Sequence, residues 1–168
     1  TLSLFPGQKM TKWYHRLAYQ LTIKNAIKRA KKIIAVSNHT KNDLIKILHT
    51  PIEKIEVVYH GISPEFQILK NDPHIEKTLK EHHITKDFLL YTGVWRNHKN
   101  LPRLIQAFKV IKENLDLQLV ITGKSDPHYP EVFDTVKHLN LTNDIIFPGH
   151  VSETQLIHLY NAAKIFVF

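Results

Sequence analysis

Arg96, His98 and Lys99 stand together in the run Val94-Trp-Arg-Asn-His-Lys-Asn100, one glycine downstream of an apolar stretch and one residue ahead of helical spacing at Leu101, Leu104, Ile105 and Phe108. Cations gathered in this way are suited to binding an anion, and the flanking pattern says where the anion would sit. Phe88 to Thr92 is β-prone and apolar, so the order is strand, loop, helix. In open α/β sheets ligands lie beyond the carboxyl ends of the strands, where the next helix offers unpaired N–H groups and a partial positive charge. Spacing alone leaves a solvated basic loop as the equal alternative to a phosphate site.

Other chemistries lack their residues. No Ser-His-Asp set, P-loop or Gly-x-Gly-x-x-Gly fingerprint is present. The chain has 12 histidines and the pair His82-His83, but no His-x-x-x-His helix pair with a carboxylate partner, so no metal ligand is assigned. With no cysteine, disulfides and thiolate sites are excluded, which is compatible with a reducing cytoplasm.

The elements that would hold the loop follow from periodicity. After residue 88, strands at 88–92, 118–122, 145–147 and 165–168 alternate with helices at 101–113, 130–139 and 153–162, the pattern of a parallel doubly wound sheet. The last helix opens with the capping box Ser152-x-x-Gln155 and carries an inward stripe at Leu156, Leu159, Tyr160 and Ala163. Upstream, residues 10–32 predict a helix with two opposed stripes, one of Tyr14, Leu17, Ala18 and Leu21, the other of Ile23, Ala26, Ile27 and Ala30. A break near Thr22 within a packed core is the favoured way to bury both. The alternatives are packing on two faces, or one stripe left for a partner or membrane, with Trp13 and Tyr14 at its boundary. Residues 32–36 predict a short buried strand, Ser37 caps a helix carrying Leu44, Ile45 and Leu48 that Pro51 stops, and 55–59 is a second strand. The polar stretch 63–86, with turns at Pro64 and Pro73 and a helix over about 74–83, is read as a connection between domains.

A chain of 168 residues with 43% apolar content fits a globular protein with a substantial core, and no apolar run approaches a membrane span. Its net charge of +8 is uneven: residues 1–42 hold nine Lys or Arg and no acid, while 43–168 hold 14 against 15. A basic block of this kind meets an anionic membrane or nucleic acid, or is a solvated helix face, the reading weighted slightly higher.

Several segments bear a family resemblance. Tyr91-Thr-Gly93 with Lys99-Asn100-Leu-Pro-Arg-Leu-Ile-Gln-Ala-Phe108 resembles the start of the second domain of retaining GT-B glycosyltransferases of family 4, or group 1. Ile34-Ala-Val-Ser37-Asn-His-Thr40-Lys-Asn-Asp43-Leu44, Ile55-Glu-Val-Val-Tyr-His-Gly61-Ile62, Leu119-Val-Ile-Thr-Gly123-Lys124 and Ile146-Phe-Pro-Gly149-His-Val151-Ser are similar to further segments in the family's order. Each motif is weak, but the ordered set is strong.

The resemblance implies a Rossmann-like parallel sheet flanked by helices. Residues 1–62 would be the end of the acceptor-side domain, 63–86 the interdomain connection and 87–168 the first half of the nucleotide-sugar domain. It implies transfer of a sugar, with retention, from a nucleotide-sugar donor, as substrate and with no resident cofactor, to a saccharide or lipid-linked acceptor. Arg96, Lys99 and Lys124 would meet the donor diphosphate; Arg96 stands at an offset where the family varies. Gly149, His150 and Val151 would read the nucleobase, a plain strand-to-helix turn being the equal alternative. No catalytic residue falls in the chain. The family's two-glutamate segment would follow Phe168, so the chain is expected to be an incomplete and inactive piece. A cytoplasmic location is expected, with a peripheral contact at the inner membrane face through residues 9–32 left open. The competing class is a non-catalytic basic α/β module on a membrane or nucleic acid. A dehydrogenase half is disfavoured, since the first βα turn has one glycine where that fold needs three.

Overall fold

The computed structural model describes residues 13–168, which divide into two compact units at Ser63/Pro64. The expected helix start at Met10 and the first residues of the 9–32 segment lie outside the described residues.

In the first unit, α1 (Trp13–Arg29) runs without the break expected near Thr22. The Thr22 hydroxyl donates to Ala18 O at 2.8 Å, so the residue is satisfied inside the helix. The second stripe packs. Ile23, Ile27 and Ala30 line an apolar cavity of about 310 Å³ with Leu44 and Leu48 of α2 (Asn38–Leu48), whereas Leu17 and Leu21 are exposed. Ser37 caps α2 by accepting from the Thr40 N–H at 3.1 Å. That helix ends one step before the expected stop at Pro51, because His49 takes a left-handed conformation (φ 50°). The strands β1 (Ile33–Ala35) and β2 (Ile55–Val57) pair in parallel. β1 was expected to be buried throughout, yet Ala35 is buried and Ile34 exposed, because side chains alternate across the strand.

The second unit is a four-stranded parallel sheet of β3 (Phe88–Tyr91), β4 (Gln118–Thr122), β5 (Ile145–Gly149) and β6 (Ile165–Val167), in the order β5-β4-β3-β6. The α/β class with helices flanking parallel strands is as the alternation of elements required. One face of β3 and β4, with Leu89, Tyr91, Leu119 and Ile121, packs against Ile105 and Phe108 of α4 (Leu101–Lys112) and Val132 and Val136 of α5 (Glu131–His138). The other face, with Phe88, Leu90 and Val120, packs against Ile84 and against Leu159 of α6 (Glu153–Ala162). Burial on both faces is why these two strands read as continuous apolar runs.

Residues 64–86, read as a connection, group with this second unit. Within it α3 (Pro73–Glu81) lies against α6, with the Thr78 hydroxyl 2.7 Å from His158 Nδ1 and the Leu69 N–H donating to Asn161 Oδ1 at 2.8 Å. α6 is therefore covered on two sides. Ile157 and His158 are buried beside Leu159, beyond the expected stripe. Its capping box is closed from both ends: the Gln155 N–H donates to Ser152 Oγ at 3.2 Å and the Ser152 N–H to Gln155 Oε1 at 3.1 Å.

Candidate functional site

The chain adds β4 and β5 on one side of β3, then crosses by α6 to add β6 on the other, so strand order reverses at β3/β6. A crevice opens at such a reversal, beyond the carboxyl ends of the strands. The loop that begins there starts with Gly93 at φ 143°, directly above a buried tyrosine: a Cβ at Gly93 would stand 3.3 Å from Tyr91 Oη. That hydroxyl has no hydrogen-bond partner among the described residues, and burial pushes the phenol above its ordinary value of 10.0.

Three glycines line up across the strand ends. The Gly123 N–H donates to Gly149 O at 2.8 Å, and a Cβ at Gly123 would fall 2.1 Å from Gly93 O. No side chain fits there. The φ of +107° at Gly123 also disfavours any residue with a Cβ. Pro148 lacks a ladder donor and stands where the pairing of the edge strand β5 with β4 is irregular, between Val120 and Thr122, the kind of place that tolerates it.

Trp95 anchors the loop. It is buried, its ring centroid 5.3 Å from both Phe133 and Phe147, and its indole N–H points to Thr122 O at 3.4 Å. From this anchor a short 3-10 turn, Asn97–Lys99, carries the chain to Asn100, which adopts φ 51° and leads into α4. Pro102 has no N–H, and the Arg103 N–H already donates to Asn100 O at 3.0 Å. The Leu101 N–H takes no such bond among the described residues.

Arg96 and Lys99 leave the turn toward different neighbours. Lys99 is half-buried, with Nζ 3.7 Å from the ring centroid of Phe168 at the end of β6, and it makes no ion pair among the described residues. Its neighbours continue as a row of aromatic contacts: Phe166 with Phe168 at 6.4 Å, Tyr160 with Phe166 at 5.3 Å, and Tyr160 Oη 3.0 Å from Thr92 Oγ1. Arg96 instead reaches the β4–α5 loop, with a guanidinium nitrogen 3.8 Å from Asp126 Oδ2. The backbone and ring N–H groups of His128 hold the Asp126 carboxyl below its ordinary value, and Arg96 adds a smaller pull. Arg96 also borders a cleft of about 90 Å³ floored by Trp95, Leu101 and Val132 and rimmed by Asn97, Asn100, Tyr129 and Glu131.

Lys124 follows Gly123 and is exposed; His150 follows Gly149 and is exposed too. Val151 is half-buried and packs into the second core cluster. Contacts beyond the loop's own sequence, those of Asp126, Thr92, Tyr160 and Phe168, were not anticipated. Only the turn Asp126-Pro-His128 carried a local signal, since Asp before Pro favours turns in which the carboxylate takes a backbone N–H two residues on. Among the described residues no three His, Asp or Glu side chains gather as a metal site.

Comparison with known proteins bears on this geometry. The family described as glycosyl transferases group 1 matches residues 74–168, and that described as glycosyltransferase family 4 matches residues 3–66. An uncharacterized glycosyltransferase of Methanocaldococcus jannaschii, MJ1607, is 30% identical over 94% of this chain and 40% of its own length. The O-antigen chain mannosyltransferase RfbU of Salmonella typhimurium is 28% identical over 91% of this chain and 39% of its own. Among solved structures, Anabaena Alr3699/HepE in complex with UDP and glucose aligns with a TM-score of 0.75 at 18% identity, covering 89% of this chain and 41% of that one. The chain thus spans about 40% of the length of these two relatives. With more than half of its residues matched by one family, the chain belongs to the group 1 glycosyltransferases.

Proposed function

We propose that this chain forms the diphosphate-facing part of a glycosyltransferase that moves a sugar from a nucleotide-sugar donor to a saccharide or lipid-linked acceptor, with retention at the anomeric carbon. The observation that carries the reading is Lys99, an ammonium without a carboxylate partner among the described residues, held beside the strand-order reversal. Negative charge develops on the departing diphosphate as the glycosidic bond breaks. Preorganised cations and backbone N–H groups stabilise such charge without reorganisation, and terms of this kind are commonly the largest in catalysis. Lys99 and the Leu101 N–H are assigned to the diphosphate. Arg96 and Lys124 supply further positive potential, Arg96 with its charge offset by Asp126.

The nucleobase is assigned to Gly149, His150 and Val151, which end and follow the third strand of this sheet in chain order. The HepE structure holds UDP and glucose, and RfbU is named a mannosyltransferase, so nucleotide-linked glucose and mannose are the first donors to try. The nucleotide sugar enters as substrate, and the reading calls for no resident cofactor. Residues 1–62 belong, on this reading, to the acceptor-side domain, and the reaction takes place on the cytoplasmic side.

Titration calorimetry of the chain with UDP, GDP and uridine tests the assignment. Binding of a diphosphate at least about tenfold tighter than that of the nucleoside is expected from one or two charged hydrogen bonds. Equal binding of uridine and UDP, or none of either diphosphate, would overturn it.

A further inference from the structure

Tyr91 is 2% exposed, and its hydroxyl has no partner among the described residues. A buried donor left unmade costs stability, and phenylalanine would fill the same space without that cost. A hydroxyl kept on such terms calls for a partner that arrives with a ligand. Over it lies Gly93, where a Cβ would stand 3.3 Å from Tyr91 Oη. The chain on either side of this glycine is pinned. Thr92 Oγ1 lies 3.0 Å from Tyr160 Oη, and the buried Trp95 points its indole N–H to Thr122 O at 3.4 Å. Between these anchors the Gly93–Val94 peptide makes no hydrogen bond among the described residues: Gly93 O accepts none and Val94 N–H donates none. The oxygen rests against Gly123, where a Cβ would fall 2.1 Å from it, and a Cα–H contact of that kind is weaker than a bond from a hydroxyl. Glycine populates both signs of φ, so this peptide can turn over while its anchors stay in place. The C=O and N–H of a trans peptide point in opposite directions. Turning Gly93 O down onto the Tyr91 hydroxyl therefore turns Val94 N–H up toward the crevice.

We propose that Tyr91 is a positioning residue for the anion site. With a diphosphate bound, the Gly93–Val94 peptide turns over, Gly93 O accepts from the Tyr91 hydroxyl, and the Val94 N–H donates to a phosphate oxygen. In the free chain the turned peptide would aim a bare N–H into a crevice already made positive by Lys99 and the start of α4, so the oxygen stays against Gly123. An anion that accepts from Val94 N–H binds the turned arrangement alone and shifts the population toward it. The inference rests on the diphosphate reading of this site and adds to it two groups, a backbone donor and the phenol that holds that donor in place.

Thermal melts, calorimetry and amide NMR of the full chain test it together. Tyr91→Phe should raise the melting midpoint by roughly 2–10 °C, because it removes an unpaired buried hydroxyl. The same variant should bind UDP about three- to tenfold more weakly, the loss of one hydrogen bond, and uridine no differently. A phenol that is merely part of the core would not move stability and affinity in opposite directions. In the unsubstituted chain UDP should shift the Val94 amide proton downfield, and Tyr91→Phe should diminish that shift. If the unsubstituted chain binds UDP no better than uridine, the diphosphate reading fails and the role of Tyr91 falls with it. If it binds UDP as expected, then equal UDP affinity in Tyr91→Phe, a lower midpoint for that variant, or a Val94 amide that does not respond to UDP would each overturn the role of Tyr91 alone.

Discussion

Arg96 and Lys99 lie three positions apart in one loop, yet the fold treats them differently. Arg96 follows the buried Trp95 and meets a carboxylate that two N–H groups of His128 keep ionised; Lys99 ends the 3-10 turn and meets an aromatic ring. An ion pair at the surface leaves little net field for a ligand, whereas an ammonium over a ring keeps its charge available. Counting cations in a loop therefore overstates an anion site. What matters is which of them the tertiary structure leaves without a counter-charge.

The contrast depends first on the glycine row that brings the two loops together. Gly123→Ala should have the largest effect of any change considered, because its Cβ would fall on the backbone oxygen of Gly93 and its φ is positive. Strain and overpacking together suggest about 2–6 kcal/mol of stability, or a melting midpoint lower by roughly 4–24 °C. Gly149→Ala shares the positive φ (74°) but would meet nothing within 4 Å, so it should cost only the strain, about 1–3 kcal/mol. Thermal melts of the two variants separate steric approach from conformation. Equal midpoints would mean the Gly93–Gly123 contact is not formed.

Next in size is Lys99→Ala, which should weaken nucleoside diphosphate binding about 10- to 150-fold, the loss of one charged hydrogen bond. Arg96→Ala should cost only a factor of a few, since Asp126 already offsets that charge. Calorimetry decides between them, and a larger loss from Arg96 would reverse the comparison.

Much of this arrangement was legible in the sequence. β3 and β4 are buried on both faces, so their apolar runs left no ambiguity of type, and the caps at Ser37 and Ser152 are local hydrogen bonds that a few adjacent residues determine. The errors came where a partner far along the chain decides. Two opposed stripes in α1 could be counted, but which one packs depends on α2. Ile157 and His158 are buried because α3 covers α6. The turn Asp-Pro-His occurs twice, at residues 72–74 and 126–128, with the same carboxylate-to-histidine bonds. One copy caps α3 near the buried His158 and the other faces Arg96, and no local pattern separates those outcomes.

Asp126→Asn tests the pairing from its other side. The amide oxygen still accepts the His128 N–H, so the turn persists while the negative charge is removed, and diphosphate affinity should rise about two- to fivefold. In the folded chain the Asp126 carboxyl is held below its ordinary value of 3.8. Its stabilising effect is therefore present above that value and fades as pH falls through the lower folded one. Between about pH 5 and 8 the carboxylate stays ionised, and the gain from Asp126→Asn should not change with pH. A gain that appeared only at the acidic end would assign the effect to some other group.

The smallest change should come from Arg103→Ala, which makes it the control for the whole comparison. Arg103 is exposed in the first turn of α4, and its N–H is already used by Asn100 O. Its side chain adds a positive charge near the helix end whose own partial charge is positive, an unfavourable pairing of about 0.3–1 kcal/mol. Alanine removes that repulsion and is the better helix former, so stability should rise slightly while diphosphate binding falls by no more than a factor of about two or three. The two readouts should move in opposite directions, an outcome that a nonspecific loss of fold cannot produce. If Arg103→Ala weakened binding as much as Lys99→Ala, the diphosphate would be responding to the summed basic field of the loop and helix, and the distinction between a paired and an unpaired cation would have no bearing on the site.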